Sequence, residues 1–308
     1  MKDKYLDEID QSKVRWADVD GVRTRYYESG RGEPLVLIHG GDFGFVDALD
    51  TWSLNLAELS RSFHVFALDK FGQGHTDVPK RDEDYTYDAV LRHVLRWLDV
   101  AKVPNAAHLM GHSRGGLVVA SVSFERPGFA KSAVIIDSAT LAPDPVDPRH
   151  HSKVFYAEVD RRTPNGFTTR EALMVEATMN SHSTAHVTDA YIARYLEIAR
   201  LDGQQAAVAR MRGGVSEKVF VPNLNRAREA VLAKIDKQGM PVRTLVLWGG
   251  NDPSAPLAEV GIPLYKRIAA ATDQVEMHIF NHAGHYTFRE QASSFHRLTK
   301  SWCIASAA

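Results

Sequence analysis

The stretch Met110-Gly111-His112-Ser113-Arg114-Gly115-Gly116 contains the pattern Gly-x-Ser-x-Gly between two apolar segments. The apolar run 106–110 predicts a β-strand before the pattern, and the run 117–120 predicts the start of a buried helix after it. A serine at such a strand–turn–helix corner has its Oγ exposed, because the turn is so tight that only glycine fits on either side. Ser113 is therefore a candidate nucleophile. The alternative at this point is a glycine-rich turn that contains a serine by chance.

The composition is that of a globular chain of 308 residues, enough for one large α/β domain or for a core with an insertion. The net charge of −1 gives no bias towards nucleic acid or an anionic membrane. The single cysteine, Cys303, excludes an intrachain disulfide and a multi-cysteine zinc site. The N-terminus has no apolar signal segment and no apolar run is long enough for a membrane span, so a cytoplasmic location is expected.

Short apolar strands alternate with amphipathic helices in the first part of the chain and again from Arg243. This alternation predicts a mostly parallel sheet with helices on both faces. Between about Ser152 and Lys237 the spacing is helical, without a clear strand. We therefore predict a core at 1–141, a helical cap at 142–240 and the second part of the core at 241–308. The cap is expected to cover the carboxyl ends of the strands, where open α/β sheets bind ligands.

A serine hydroxyl needs a base to take its proton, and the base is typically a histidine oriented by a carboxylate. His285 follows the last predicted strand and a glycine, and Asp252 follows the strand 244–248 through two glycines. The chain order serine, acid, histidine is the one expected for such a fold. The alternatives are His282, which we expect to be structural, and Asp137, which we expect to cap a helix or turn.

An oxyanion intermediate needs two N–H donors. One is predicted to be the backbone of Arg114, directly after the serine, and the other that of Gly41, in the segment His39-Gly40-Gly41. A glycine-rich loop can also bind phosphate, but no Gly-Lys-Ser/Thr follows, so that interpretation is set aside. No metal and no cofactor is expected for this chemistry.

With these residues assembled, the chain resembles the α/β-hydrolase superfamily over nearly its whole length. The matching segments are His39-Gly40-Gly41, 69–74, 111–116, 249–252 and Gly284-His285. The resemblance implies an α/β-hydrolase fold: a mostly parallel, eight-stranded sheet flanked by helices, with a helical cap (lid) insertion.

Within the superfamily, the chain is most similar to the meta-cleavage product hydrolases of bacterial aromatic degradation. The resemblance implies cleavage of a C–C bond in 2-hydroxy-6-oxo-hexa-2,4-dienoates by Ser113, Asp252 and His285. In that family a cap-helix arginine holds the carboxylate end of the dienoate. The segment 188–195 resembles the corresponding segment, which gives this role to Arg194. On the residues alone, a solvated arginine on a helix face is the alternative.

Other features depart from that family. His112, Arg114 and Tyr286 stand where asparagine, methionine and tryptophan are usual, and Asn55 is only an approximate match to an expected asparagine. An apolar pocket is predicted from aromatic residues, with ordinary core packing as the alternative for each: Phe43, Phe45, Trp52, Phe155 and Tyr286. The predicted substrate-binding residues are Arg194, Gly40, Asn55, His112, Tyr286, Phe43 and Trp52.

These departures leave other functions open. A carboxylesterase or lactonase could use the same triad, and a ligand-binding receptor with slow, vestigial hydrolysis is an alternative from a different class. The expected partner is a small-molecule substrate, with no nucleic acid and no membrane, and a homodimer is the default expectation.

Overall fold

The computed structural model describes residues 6–143 and 151–304. A sheet of eight strands forms its centre, with the order β1-β2-β4-β3-β5-β6-β7-β8. Strand β2 runs antiparallel to β1 and β4, and the other neighbours are parallel. The predicted α/β class and the mostly parallel eight-stranded sheet are thereby confirmed. Strands β1 to β8 are Val14–Val19, Val22–Gly30, Glu33–Ile38, Phe63–Leu68, Ala107–His112, Ala130–Ile136, Arg243–Gly249 and Val275–Phe280.

Helices cover both faces of the sheet. Helices α1 to α11 are Leu56–Leu59, Tyr87–Val100, Arg114–Glu125, His151–Arg162, Arg170–Met179, Asp189–Ala199, Asp202–Arg210, Val221–Gln238, Ile262–Ala269, Thr287–Glu290 and Ala292–Ile304. The wider helical segment Met211–Phe220 joins α7 to α8 and is kinked at Gly214, where φ is 105°.

The alternation of side chains along the strands builds two cores. In β3, Val36 and Ile38 pack on one face together with residues of α2, α3, α8 and α9. Leu35 and Leu37 point to the opposite face, where they pack with residues of α1 and α11. Because both faces of the central strands are buried, these strands read as continuous apolar runs rather than as alternating ones.

Between β6 and β7 the described chain is helical and has an apolar cluster of its own. Phe155 and Val159 of α4, Leu173 of α5 and two tyrosines of α6 belong to this cluster. Residues 144–150, which contain two prolines of the predicted break in regular structure, lie outside the described residues. The predicted domain boundaries at 141/142 and 240/241 stay a prediction.

The parallel strands bring their carboxyl ends to one edge of the sheet, where ligands bind in this class of fold. Strand β3 leads into His39, β5 into Ser113, β7 into the loop with Asp252, and β8 into the loop with His285. Residues that are more than 170 positions apart in the chain therefore meet at this edge, as in the contact between His112 and His285.

Candidate active site

Ser113 lies in the turn between β5 and α3, with backbone angles of φ 51° and ψ −120°. This conformation is unfavourable for a residue with a side chain and is held by close packing of the neighbouring glycines. A Cβ atom on Gly111 would lie 2.2 Å from the carbonyl oxygen of Gly115, and one on Gly115 would lie 2.3 Å from that of Ile38. The two glycines of the motif are therefore required by the tight turn, and the serine side chain stays partly exposed.

Asp252 and His285 form a buried hydrogen bond of 2.7 Å between Oδ2 of the carboxylate and Nδ1 of the imidazole. The other carboxylate oxygen, Oδ1, accepts hydrogen bonds from the backbone N–H groups of Ser254 and Ala255 at 2.9 and 2.8 Å. The backbone N–H of His285 donates to the carbonyl of Asn180, a residue at the end of α5. Both partners are thus fixed by their own loops, and the imidazole has its Nε2 left for chemistry.

Neighbouring carboxylates favour the protonated, positively charged form of the His285 imidazole. Burial lowers the pKa of this histidine, but the Asp252 carboxylate opposes burial and the net result raises the pKa to about 9. Nε2 is buried and has no hydrogen-bond partner within the described chain, so the bond from the serine Oγ is not formed in this structure. The ring of His112, next to Ser113, lies 4.6 Å from the His285 ring between centroids.

Asp137 and His282, the alternatives to Asp252 and His285, lie in different surroundings. The Asp137 carboxylate accepts hydrogen bonds from the backbone N–H of Gly249 at 2.7 Å and from the hydroxyl of Thr287 at 3.1 Å. It therefore connects the end of β6 to the end of β7 and to the start of α10. Burial, followed by the nearby Asp252 carboxylate, raises the pKa of Asp137 well above its usual value. His282 is exposed and its ring packs against His182.

The glycine loop after β3 approaches the serine closely. A Cβ atom on Gly40 would lie 3.0 Å from Cβ of Ser113. The carbonyls of this loop are held by other residues, since Gln73 Nε2 donates to Gly40 at 3.4 Å and Lys70 Nζ donates to Gly41 at 3.1 Å. Arg114 is the first residue of α3, so its N–H has no intrahelical partner. The N–H groups of Gly41 and Arg114 stay the predicted oxyanion donors.

A first cavity lies between this loop and helices α5 and α6. We call it the aromatic cavity, and its walls include Phe45, Phe167, Tyr191, Tyr195 and Tyr286. It also contains two carboxylates, Asp47 and Glu176. The Tyr286 hydroxyl donates to Glu176 at 2.8 Å. Burial, and next the Glu176 charge, raise the pKa of Asp47 to about 6.

A second cavity has Gly41 in its wall and lies beside α2, α3 and α8. We call it the basic cavity because two cations, Lys70 and Arg114, line it together with one carboxylate, that of Asp42. The Arg114 guanidinium pairs with Asp42 at 2.7 Å. Burial lowers the pKa of Lys70 to about 7, although the Asp47 carboxylate opposes this effect.

Several residues predicted to bind substrate are core residues instead. Trp52 is fully buried and packs on Phe288 with 4.3 Å between ring centroids. Asn55 is fully buried just before α1, and Nε2 of the buried His112 ring donates to the backbone carbonyl of His285 at 2.9 Å. Among the described residues, neither cavity is lined by Trp52, Asn55 or His112.

The remaining pocket predictions divide between the cavities. Phe45 and Tyr286 line the aromatic cavity, Phe43 lines the basic cavity, and Phe155 packs in the apolar cluster of the insertion. Gly40 contacts the serine.

Arg194 is engaged by acidic residues of the protein itself. Its Nη2 donates to Asp7 Oδ1 at 2.6 Å and to Ser53 Oγ at 3.0 Å, and its Nε lies 3.3 Å from Asp50 Oδ1. Arg194 lines neither cavity among the described residues. This geometry argues against the predicted carboxylate-holding role, because two carboxylates already neutralise the guanidinium. Asp7, which is 187 residues away in sequence, gives no local signal of this pairing.

Lys70, Asp47 and Glu176 were not predicted from the sequence as site residues. A lysine directly after a buried strand, in Asp69-Lys70-Phe71-Gly72, is the one signal that could have been noticed. Asp47 and Glu176 lie in segments without a motif, and only the packing of α5 against the loop after β3 brings them together.

Comparison with known proteins identifies the family. The family model for the alpha/beta hydrolase fold matches residues 33–292. The described helices include none that is both long and apolar enough to cross a membrane. A 2-hydroxy-6-oxo-6-(2'-aminophenyl)hexa-2,4-dienoic acid hydrolase from Metapseudomonas resinovorans is 28% identical over 94% of this chain and 90% of its own length.

A second relative has a different name. The dihydrolipoyllysine-residue acetyltransferase component of the acetoin cleaving system of Cupriavidus necator is 29% identical over 93% of this chain and 68% of its own length. Among solved structures, a meta-cleavage product hydrolase from Pseudomonas fluorescens superposes with a TM-score of 0.75 at 23% identity, covering 97% of this chain and 100% of its own. This chain therefore belongs to the α/β-hydrolase fold family, is a hydrolase, and is similar to the meta-cleavage product hydrolases within it.

Proposed function

We propose that this chain is a serine hydrolase that cleaves the C–C bond beside the C6 ketone of 2-hydroxy-6-oxo-hexa-2,4-dienoates. The observation that carries the proposal is the 2.7 Å bond between buried Asp252 and His285, at the same sheet edge as the strained Ser113. The relative from Metapseudomonas resinovorans, whose printed name specifies a dienoic acid of this type, supports the choice of bond. Neither a metal nor a cofactor takes part in the proposed reaction.

In the proposed reaction the dienol first becomes a ketone, as a proton moves from the 2-hydroxyl to C5. The Ser113 Oγ then attacks C6 while its proton passes to Nε2 of His285. The N–H groups of Gly41 and Arg114 stabilise the oxyanion. When the C5–C6 bond breaks, its electron pair moves to the C2 oxygen, which takes the proton from His285. The products of this stage are a 2-hydroxypentadienoate and an acyl-serine.

Water completes the cycle. His285 takes a proton from a water molecule that attacks the acyl-serine, and the proton returns to the Ser113 Oγ as the carboxylic acid leaves. Asp252 holds the imidazole in the tautomer with Nδ1 protonated and stabilises the imidazolium that forms in each stage. The raised pKa of His285 reflects this stabilisation.

An ester or lactone is the second candidate substrate, and the surroundings of Arg194 favour it. The arginine that would hold a dienoate carboxylate is paired with Asp7 and Asp50. Hydrolysis of a neutral ester requires the same triad and oxyanion donors but no cation for an acid group.

A substrate panel separates the two candidates. Wild-type protein and Ser113→Ala are assayed on dienoates with methyl, phenyl and 2-aminophenyl groups at C6, and on 4-nitrophenyl esters. The proposal predicts loss of the yellow dienolate absorbance with release of the carboxylic acid, and a fall of about 10⁴-fold or more in kcat for Ser113→Ala. Turnover of the esters alone would favour the esterase. Wild-type turnover by Ser113→Ala would refute the nucleophile assignment.

A further inference from the structure

The proposed function requires a cation for the dienoate carboxylate, and most arginines near the site are already neutralised. Arg289 is buried and bonds to Asp7 at 3.1 Å, to Ser53 Oγ at 2.8 Å and to two backbone carbonyls. Arg25 pairs with Asp69 at 2.7 Å and also with Asp50. Together with Arg194, these residues form a closed network of arginines and aspartates that has no charge left for a ligand.

Lys70 differs from these arginines. Its side chain is buried, with an exposed fraction of 2%, and it lies directly after β4. An ammonium group carries three donors. Within the described residues only one of them has a partner, the carbonyl of Gly41 at 3.1 Å, and no carboxylate lies within ion-pair distance of Nζ. Because no carboxylate pairs with it, burial disfavours the charged form of Lys70, and an anionic ligand that completes its hydrogen bonds stabilises that form.

The location of Lys70 suits the acid end of a substrate. Lys70 and Arg114 line the basic cavity together, and Arg114 is the residue directly after Ser113. The remaining walls include the Asp42 carboxylate and the apolar side chains of Phe43, Phe220 and Leu224. Arg114 shares its charge with Asp42, but its side chain is about one third exposed and its guanidinium is therefore accessible to a second anion.

The aromatic cavity is unsuitable for a carboxylate. Asp47 and Glu176 line it, and no hydrogen bond or ion pair of the Asp47 carboxylate is formed within residues 6–143 and 151–304. A Cβ atom on Gly41 would lie 2.3 Å from Asp47 Oδ2, so this carboxylate packs against the same residue whose carbonyl holds Lys70. An anionic group placed there would be repelled.

We infer that Lys70, assisted by Arg114, binds the carboxylate of the substrate in the basic cavity, and that the C6 substituent enters the aromatic cavity. Lys70 is then a specificity-determining residue that takes the role which the family resemblance gave to Arg194. This inference rests on the proposed function, because it assumes a substrate with an acid group that reacts with Ser113.

Two matched substrate pairs test the inference. The first pair is 2-hydroxy-6-oxo-6-phenylhexa-2,4-dienoate and its C1 primary amide, with benzoate release as the readout. The second pair is mono-4-nitrophenyl glutarate and 4-nitrophenyl valerate. The charge preference is defined as kcat/KM for the acid divided by kcat/KM for its neutral partner. It is measured for wild type, Lys70→Met, Lys70→Arg and the matched control Arg194→Met.

We expect Lys70→Met to reduce the charge preference by about 10- to 100-fold, mainly through KM of the acid, since a hydrogen bond to a charged group is lost. Lys70→Arg restores most of it, and Arg194→Met leaves it as in wild type. A folded Lys70→Met protein with wild-type charge preference would overturn the inference. So would a loss of the preference in Arg194→Met alone.

Further measurements keep the test decisive. If Lys70→Met does not fold, competitive inhibition of wild type by glutarate and by glutaramide is compared, and equal inhibition constants overturn the inference. If the phenyl dienoate is not cleaved but the esters are, the C–C proposal fails while the ester pair still decides the role of Lys70.

Discussion

The basic cavity and the aromatic cavity differ in the charges that line them. Lys70, Arg114 and Asp42 line the first, whereas Asp47 and Glu176 line the second. Each cavity includes a neighbour in sequence of a proposed catalytic residue, Arg114 next to the serine and Tyr286 next to the histidine. In the proposed binding mode the acid end of the substrate faces Lys70 and its C6 substituent faces Asp47 and Glu176, which gives the substrate one favoured orientation.

The charges of a third region, the network around Arg194 and Arg289, are paired in a way that those of the cavities are not. In the network around Arg194 and Arg289, each guanidinium is paired with a carboxylate and the side chains are mostly buried. Such pairing is what structural charges need, because an isolated charge is expensive to bury. Lys70 and Asp47 lack an ion pair in the described chain, and perturbed, incompletely paired groups of this kind are typical of functional sites.

The largest expected effect on kcat is that of a substitution in the triad, which acts on the acid and on its neutral partner alike. Asp252→Asn should lower kcat by about 10⁴-fold, because the imidazole loses its tautomer control and the stabilisation of its charge. The charge preference should not change, since the acid and its neutral partner use the same His285. Steady-state kinetics on the matched pairs measures both quantities. A change in preference as large as the change in kcat would mean that the cavities do not act independently of the triad.

The pH dependence of the charge preference tests the basic cavity directly. Lys70, with its pKa lowered to about 7, is a cation below that pH and neutral above it. Asp47, with its pKa raised to about 6, becomes an anion above that pH. The charges of Asp42 and Arg114 also act on Lys70, and the charge of a bound acid group adds to theirs.

Deprotonation of Lys70 and deprotonation of Asp47 both weaken the attraction for an acid, so the charge preference should fall by about tenfold between pH 6 and pH 8. His285 titrates alike for both members of a pair and cancels in the ratio. In Lys70→Met the decrease around pH 7 should disappear. A preference that rises with pH would contradict the assigned charges.

A smaller effect is expected in the aromatic cavity. Asp47→Asn removes one of its two carboxylates at nearly constant size. It should raise kcat/KM about threefold to tenfold for a dienoate whose C6 substituent carries a carboxylate, by relief of like-charge repulsion. The phenyl dienoate serves as the neutral control and should change less. An equal change for both substrates would show that the substituent does not enter this cavity.

Arg194→Met should change selectivity least and stability most. It leaves Asp7 with Arg289 alone and Asp50 with Arg25 alone. Since Arg194 is about one fifth exposed, we expect a loss of about 1–3 kcal/mol in the free energy of unfolding. Urea denaturation gives this value, and the matched substrate pairs give the charge preference. Wild-type stability combined with lost acid selectivity would restore Arg194 to the substrate site.

The fold was readable from the sequence because its signals are local. Strands β2 to β8 coincide with short apolar runs in the sequence, and Val90, Val94 and Leu98, at helical spacing, lie in α2. Strand β1 is an edge strand whose side chains are mostly exposed, so it lacks such a run. Glycine motifs likewise predicted the loops around Ser113, Asp252 and His285, because the turns themselves demand glycine.

The substrate-facing residues were harder to predict because they depend on contacts between distant segments. Arg194 was interpreted from a family segment, but Asp7 determines what it binds. Trp52 was expected in the pocket, yet it packs on Phe288 in the core, which only the arrangement of α10 reveals. The charges of both cavities depend in the same way on which loop meets which helix.

The central claim is that Ser113 attacks the substrate carbonyl, and trapping the covalent intermediate tests it most directly. Wild-type protein is mixed with 2-hydroxy-6-oxo-6-phenylhexa-2,4-dienoate, quenched in acid during turnover, digested and examined by mass spectrometry. The account predicts a benzoyl group on the Ser113 hydroxyl, absent from Ser113→Ala. A benzoyl group on another residue, or benzoate release by Ser113→Ala at the wild-type rate, would contradict it.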